Sequence, residues 1–471
     1  MRLSVANAGV VGATRGEDGR TPARCVLMLV SGFPPAREYV LRTVKFAKYL
    51  PEWGWTPLIV TPFGKVGVGT EPLVAVPDGV AVKRIPRAPT LSALVAWMRK
   101  GRDGGGSGSS VAFGTKTRAI SRWFESGARR ILLWGDTPDA FAGWIPFAVV
   151  AGWWLARRYE VCAIHASGPP FSVVYAGVEL SRLTGLPLIA DFRDAWTLDS
   201  SDPGEFWGPS RMKNRLLRIL ERRVLRRSRA VLFTSRATRT LYLNEYPMIE
   251  AKSHIIYNGA DPDDFVGATP GIERATVAHV GTLHDFQWNQ VEMFLRGFAQ
   301  ALLAGGVPPD TQLIFAGAIG QKLRLRLEAR VRELGIDCFV QVTDFLPHGQ
   351  AVRWMRGSRV LLLFAGTNPY VRLSKISEYL AAGAYMLAFA SGESETAEEV
   401  RRYGGRVLSE ASEEAVAAAL MVAFSTQSDK RSRLQSLEHP HPLNRRTEAQ
   451  YLADILAKSV AMSGAPGEPS R

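Results

Sequence analysis

The sequence has few cysteines and no long apolar run. Its 471 residues include three cysteines, whose spacing fits neither a metal site nor a disulfide framework. We therefore expect a reducing, cytoplasmic compartment and no bound metal. The one serious candidate for a membrane segment, residues 140–156, has no charge for 17 residues but contains Pro146 and falls short of a membrane-spanning helix. We expect a buried or interfacial helix there.

Acidic residues are also too few to balance the basic ones, and the formal net charge is +14. Such a charge attracts nucleic acid, an anionic membrane surface or a phosphorylated substrate. The basic residues do not favour nucleic acid, because they concentrate in one helical segment instead of alternating with aromatic residues on a sheet. That segment, 211–229, has nine basic residues and one acid at amphipathic spacing.

Two interpretations of segment 211–229 stay open at this point. It binds the anionic inner face of a membrane, where each basic residue contributes about 1 kcal/mol, or it is a solvated helix packed on the first domain. Four tryptophans between positions 134 and 154 allow the same choice between a membrane interface and a core.

Strand-like and helix-like segments alternate along most of the chain. This alternation predicts an α/β protein with two doubly wound, Rossmann-like domains that face a cleft. The predicted divisions are a flexible tail (1–22), an N-terminal Rossmann-like domain (23–265) with a flexible Gly/Ser loop near 101–117, a C-terminal Rossmann-like domain (274–440), and a helix with a flexible tail (441–471).

The segment 359–390 carries the strongest signal for a binding site. Two apolar strands flank a loop and a short helix, so the loop lies at the carboxyl end of a parallel strand, where ligands bind. Ser374 is a suitable N-cap, and the free N–H groups after it favour a phosphate. Arg372 and Lys375 add two cations, and Glu378 lies on the same helix face. The competing interpretation is an ordinary capped helix with a surface Lys–Glu pair.

The stretch SKISEYLAAGAYMLAFA resembles a segment of the family-four retaining glycosyltransferases. Further matching segments follow the order of that family: FPP…KFAKYLPEWGW, SGPPFS, DFRDAW, YNGADPDDF, VGTL and FLPH. The resemblance implies a GT-B fold and retaining sugar transfer from a nucleoside diphosphate, without metal or other cofactor. The implied donor is a UDP- or GDP-sugar, and the implied acceptor is a glycan or lipid-linked molecule of polysaccharide or glycolipid biosynthesis.

Three positions depart from the family pattern. Tyr370 replaces a glutamate that many members carry eight residues before the equivalent of Glu378, and AREYV at 36–40 replaces a paired-glycine loop. The basic residue expected after VGTL is missing, and His284 is the candidate to replace it in binding the diphosphate. These departures keep an alternative open: an inactive GT-B scaffold that binds nucleotide or protein partners.

Other candidate residues also have two interpretations. His165 acts as a general base or phosphate ligand, or it is structural. Asp194 orients an acceptor hydroxyl, or Arg193 pairs with an aspartate to hold the loop. Asp261 and Asp263 form a D-x-D sequence, for which an interdomain turn is favoured over a metal site.

Overall fold

The structure is a computed structural model that describes residues 24–35, 41–63, 75–90, 136–198, 211–267, 275–343, 346–366, 368–370, 372–425 and 441–464. The predicted N-terminal tail, the Gly/Ser loop near 101–117, the segment 36–40 and the end of the chain after residue 464 lie outside these ranges.

The first domain is built on a seven-stranded parallel sheet in the order β3-β2-β1-β4-β5-β6-β7. Its strands are rich in apolar residues because helices cover both faces. They are β1 (Arg24–Leu29), β2 (Trp55–Pro62), β3 (Ala81–Ile85), β4 (Val161–Gly168), β5 (Leu188–Phe192), β6 (Ala230–Phe233) and β7 (Ser253–Ile255).

Helices on opposite faces of this sheet form two separate cores. One core joins the sheet to the layer of α2–α5 and includes Trp144, Phe171 and Phe192; the other lies under α1 and includes Phe46. The helices are α1 (Leu41–Tyr49), α2 (Ile145–Arg158), α3 (Phe171–Thr184), α4 (Arg211–Arg227) and α5 (Arg236–Glu245), with 3₁₀ turns at Leu50–Trp53, Ala142–Trp144 and Pro247–Lys252.

The second domain repeats the architecture with six parallel strands in the order β10-β9-β8-β11-β12-β13. After a short linker helix, α6 (Pro262–Phe265), the strands are β8 (Thr276–Val280), β9 (Gln312–Ala316), β10 (Val340–Thr343), β11 (Val360–Phe364), β12 (Tyr385–Phe389) and β13 (Arg406–Leu408). The helices are α7 (Trp288–Leu303), α8 (Gln321–Glu333), α9 (His348–Gly357), α10 (Lys375–Ala382), α11 (Glu395–Arg402) and α12 (Glu413–Ser425), with 3₁₀ turns at Asp285–Gln287 and Asp337–Phe339. The predicted α/β class with two doubly wound sheets is confirmed.

The last helix, α13 (Arg445–Ala461), returns to the first domain. Its apolar residues Leu452 and Leu456 are buried in the same core as Phe46 of α1 and Val26 of β1. The chain therefore crosses between the domains twice, once through the linker near residue 260 and once before α13.

The linker is held by charged groups of α1. The buried Asp261 carboxylate accepts from Lys45 Nζ at 2.7 Å, Lys48 Nζ at 2.9 Å and Tyr49 Oη at 2.7 Å. Burial would raise the pKa of Asp261, but Lys45 outweighs that effect and lowers it. Asp263 is largely exposed and contacts Lys48 at 2.9 Å. Both carboxylates of the D-x-D sequence are thus paired with lysines of α1 in the first domain.

Within the described ranges, no helix combines the length and apolar character needed to cross a bilayer. The uncharged stretch near 140–156 mostly forms α2, which buries Ala148 and Leu155 against the sheet. Its other face exposes Val150 (68%) and Trp154 (52%). It is therefore a surface helix with an apolar outer face.

We predict that Asp261→Ala lowers the free energy of unfolding by about 3 kcal/mol, because it removes one of the two carboxylates that pair with the buried Lys45 ammonium and also the buried acceptor of Lys48 and Tyr49. Asp263→Ala is the matched control, and its exposed carboxylate should contribute at most about 1 kcal/mol. Urea unfolding of both variants measures the difference. Equal losses in the two variants would contradict the role assigned to Asp261.

Candidate functional site

The carboxyl ends of β8 and β11 bring together the residues of the candidate site. Lys375 begins α10, which follows the loop after β11 and ends at Gly383, where a φ of 74° suits glycine. The Lys375 side chain extends over the end of β8: a Cβ added at Gly281 would lie 3.6 Å from its Cε. The ammonium group therefore lies at the edge of the sheet where open α/β proteins bind ligands.

Lys375 and Glu378 form an ion pair of 2.6 Å one turn apart on α10. Glu378 is only 8% exposed, so this is not the surface pair of the alternative interpretation. Burial alone would raise the pKa of the Glu378 carboxyl, but Lys375 and then His348 outweigh burial and hold this pKa below its ordinary value. The carboxylate is consequently ionised and can accept hydrogen bonds near neutral pH.

The start of α10 differs from the expected open helix end. Ser374 is at the N-cap position, but its backbone is helical (φ −61°, ψ −27°) and its hydroxyl makes no capping hydrogen bond. The N–H groups of Ile376 and Ser377 donate at 3.3 Å to the carbonyls of Leu373 and Ser374. The expectation that the N–H groups after Ser374 are free is therefore only partly met, because the chain enters the helix through a tight turn.

Arg372 lies beside this turn, and its charge is already paired. Its guanidinium contacts the Glu399 carboxylate at 2.9 Å and stacks over the Tyr257 ring at 4.6 Å. The side chain is 2% exposed. Burial raises the pKa of Glu399 despite the Arg372 charge. Arg372 therefore anchors the linker residue Tyr257 to the second domain.

Sequence reasoning missed a histidine in this site. His348 is the first residue of α9; its Nε2 lies 2.9 Å from Asp264 Oδ2 and its Nδ1 lies 3.9 Å from Glu378 Oε1. The segment FLPH contributed to the family resemblance without a role for this residue. The available signal was its position after β10, because loops that follow parallel strands meet at the ligand-binding edge.

His284 lies in the loop after β8 and is exposed. Its ring stacks on that of Phe286, with 5.5 Å between centroids and 12° between planes. The loop is held by Gln287, which accepts from the His284 N–H at 2.8 Å and donates to the carbonyl of Phe364 at 2.5 Å. This arrangement places an aromatic pair where the family carries a basic residue.

The first-domain candidates lie after β4 and β5. His165 lies inside β4, which continues to Gly168, and its imidazole is fully buried with Nε2 3.6 Å from Asp191. The carboxylate of Asp191 pairs with Arg42 at 3.0 and 3.1 Å and accepts from Ser167 at 3.0 Å. In this conformation His165 faces that buried cluster and does not reach the protein surface.

Asp194 follows β5 and is exposed, in keeping with a position near the cleft. Its neighbour Arg193 donates to the carbonyls of Gly168 and Pro169. Asp191, inside β5, pairs with Arg42 of α1. The contacts of Arg193 with the backbone help to hold the loop after β5.

The two domains also meet across the cleft between α5 and α11. Arg236 contacts Glu395 at 3.2 Å and Glu398 at 2.6 Å, and the N–H of Ala237 donates to Glu395 at 3.1 Å. Among the described residues, no group of three or more His, Cys, Asp or Glu side chains is arranged to hold a metal ion.

A family profile matches part of this chain. Residues 114–264 match the profile of the family described as Glycosyltransferase Family 4. No functionally curated protein matches the chain significantly. The resemblance inferred from the sequence is confirmed: the chain is family-four-like.

Solved structures of several enzymes share the fold over nearly the whole chain. Anabaena HepE in complex with UDP and glucose is 16% identical, with 92% of this chain and 100% of that chain covered and a TM-score of 0.59. Sucrose-phosphate synthase from Thermosynechococcus elongatus is 14% identical (93% and 100% covered, TM-score 0.54). A putative UDP-N-acetylglucosamine 2-epimerase from Listeria monocytogenes is 9% identical (96% and 100% covered, TM-score 0.53). The fold is therefore GT-B.

We predict that Asp264→Asn changes how stability depends on pH. Burial opposes ionisation of Asp264, but the hydrogen bond from His348 and the charge of Lys45 lower its pKa to about 2. A lowered folded-state pKa gives stability that is complete above the ordinary value of 3.8 and is lost as the pH falls towards 2. The free energy of unfolding of wild type should therefore exceed that of the variant by at most about 2 kcal/mol at pH 6. This difference should shrink below pH 4.

Urea titrations between pH 6 and pH 3 measure this difference in the free energy of unfolding. Asp78→Asn, which changes an exposed residue of the first domain, controls for the substitution itself. An advantage of wild type that stays constant over the whole pH range would show that the Asp264 charge does not contribute.

Proposed function

We propose that this family-four-like GT-B chain transfers a sugar from a nucleoside-diphosphate donor to an acceptor hydroxyl in polysaccharide or glycolipid biosynthesis. The observation that carries the proposal is the Lys375–Glu378 pair, half-buried at the carboxyl edge of the second sheet. HepE, which shares the fold, binds UDP and glucose, and this supports a nucleotide-sugar donor.

The pair suits the two chemical parts of such a donor. Lys375 and the positive end of the α10 dipole would face the diphosphate, whose negative charge increases as the sugar bond breaks. Glu378 would accept hydrogen bonds from the ribose hydroxyls, because its carboxylate is ionised and held on the same helix. Ser374 directly precedes Lys375, and His284 lies in the loop after β8, over whose end Lys375 extends. Both would complete the phosphate site.

Further features of the proposal come from the family resemblance. We infer retention of the anomeric configuration and a reaction without bound metal or other cofactor, with a UDP- or GDP-sugar as the donor. The acceptor would be a glycan or a lipid-linked molecule bound by the first domain. Exposed Asp194 would orient the acceptor hydroxyl, whereas the buried His165 is assigned to support of the Asp191 cluster.

We predict that UDP or GDP binds in excess chelator and that Lys375→Ala and Glu378→Ala each weaken binding about tenfold, equivalent to about 1.4 kcal/mol. Lys322→Ala, at an exposed position of α8 in the same domain, is the control and should leave the affinity unchanged. Isothermal titration calorimetry measures all four proteins. Absence of binding to wild type would argue against a nucleotide-sugar donor.

A second function, an inactive scaffold that binds nucleotide or protein partners, is favoured by one observation. Tyr370, 49% exposed, stands in the loop after β11 where many family members have a glutamate. Slow donor hydrolysis in the absence of acceptor distinguishes the two functions, because an inactive scaffold releases no sugar. Where transfer occurs, the anomeric configuration of the product tests retention directly.

We further propose that the first domain binds the anionic inner face of the cell membrane from the cytoplasmic side. The outer side of α4 exposes a row of arginines with Met212 and Ile219 among them, and its acid, Glu221, is buried. Within the same helix layer, α2 exposes Trp153 and Trp154. Such a combination of basic and aromatic groups is typical of interfacial helices. It would bring the enzyme to a lipid-linked acceptor.

We predict salt-sensitive sedimentation with phosphatidylglycerol vesicles and none with phosphatidylcholine vesicles. The double substitution Arg211→Gln with Arg215→Gln should weaken binding about thirtyfold, from about 1 kcal/mol for each arginine. The control, Lys322→Gln with Arg332→Gln, removes two exposed charges from α8 of the second domain. Equal losses from both double variants would indicate attraction by net charge alone.

A further inference from the structure

A continuous run of charged side chains connects the first domain with the candidate donor site. Lys45 Nζ of α1 lies 2.7 Å from Asp264 Oδ1, and Asp264 Oδ2 lies 2.9 Å from His348 Nε2. His348 Nδ1 lies 3.9 Å from Glu378 Oε1, and Glu378 Oε2 lies 2.6 Å from Lys375 Nζ. The run therefore passes from α1 through the interdomain linker to the start of α10.

Each member of this run is at least partly withdrawn from solvent. Side-chain exposure ranges from 6% for Lys45 to 33% for Lys375, and His348 is 18% exposed. Charges in such surroundings interact more strongly than on an open surface, because little water screens them. A change at one member should consequently be felt by its neighbours.

The geometry at His348 is that of an oriented histidine. Asp264 holds Nε2 and so fixes the plane of the ring, which turns Nδ1 towards Glu378. A carboxylate bonded to one nitrogen of a histidine holds the imidazole in a fixed orientation and sets what the other nitrogen can do. At 3.9 Å the contact with Glu378 is electrostatic and longer than a hydrogen bond.

We propose that His348, oriented by Asp264, is a positioning residue that holds the Glu378 carboxylate where it receives the ribose of the nucleoside diphosphate. Through Asp264 and Lys45 the same residue couples occupancy of the donor site to the interdomain linker. This inference rests on the proposed function, since it assigns a second group to the same donor site. Coupling of this kind is reciprocal, so the domain arrangement affects donor affinity as much as the donor affects the arrangement.

A purely structural role for His348 makes a different prediction. If the histidine only stabilises the start of α9, its replacement weakens nucleotide binding to the same extent whether or not Glu378 is intact. If it acts through Glu378, its effect depends on that carboxylate, because the two residues then form one unit.

The test is calorimetric titration of UDP and GDP into wild type and the variants His348→Gln, Asp264→Asn and Glu378→Gln. Two double variants combine Glu378→Gln with each of the other substitutions. His348→Gln keeps an amide donor near the position of Nε2, so its bond to Asp264 can persist while the group facing Glu378 is lost. His254→Gln, at a half-buried position of β7, is the control.

We expect His348→Gln and Asp264→Asn to weaken binding about tenfold, and to have no further effect in the Glu378→Gln background. Asp264→Asn gives the same information if His348→Gln does not fold. Two results overturn this inference: His348→Gln lowers the nucleotide affinity equally with and without the Glu378 carboxylate, or His348→Gln binds with full affinity while Glu378→Gln binds weakly. Either result leaves the proposed donor site in place. No nucleotide binding by wild type overturns both.

Discussion

The relation between the two domains depends on ion pairs between α1 and the linker that follows β7. Arg42 of α1 contacts Asp191 in the sheet of the first domain and donates to the carbonyl of Tyr257 in the linker at 2.7 Å. One helical turn later, Lys45 contacts Asp261 and Asp264. Buried charges are costly unless they are paired, so these arginine and lysine side chains fix where the linker can lie. The position of the second sheet relative to the first follows from this constraint.

The same rule shapes the candidate site. Lys375 and Glu378 neutralise each other when no anion is bound, and Arg372 is occupied by Glu399. An incoming diphosphate would share Lys375 with Glu378, and the carboxylate would turn partly to the ribose hydroxyls. The site would thus exchange one set of paired charges for another, so the partly exposed Lys375 ammonium is paired both in the empty protein and with the donor bound.

The sequence allowed much of this architecture to be predicted, because local patterns carry it. Alternating apolar strands and helices predicted both sheets, and Gly383 with the apolar strands β11 and β12 located α10. Spacing along one helix was enough to place Lys375 beside Glu378.

The partners of these residues were out of reach because they come from distant segments. His348 is 30 residues from Glu378 and 84 from Asp264, and no local periodicity reports such a contact. The packing of α13 on the first sheet was missed for the same reason. The sequence suggested that Arg372 could bind a phosphate, because its partner Glu399 lies 27 residues further along the chain, in α11.

The opposite faces of the first sheet separate two tasks. The face that carries α1 and α13 also carries the linker contacts, so it is committed to joining the domains. The α2–α5 layer covers the other face, and the exposed arginines of α4 and tryptophans of α2 belong to it. Binding of the α2–α5 layer to the proposed membrane would therefore leave the contacts between α1 and the linker unchanged. The second domain would keep its connection to α1 through Asp261 and Asp264, whether or not the first domain is bound to lipid.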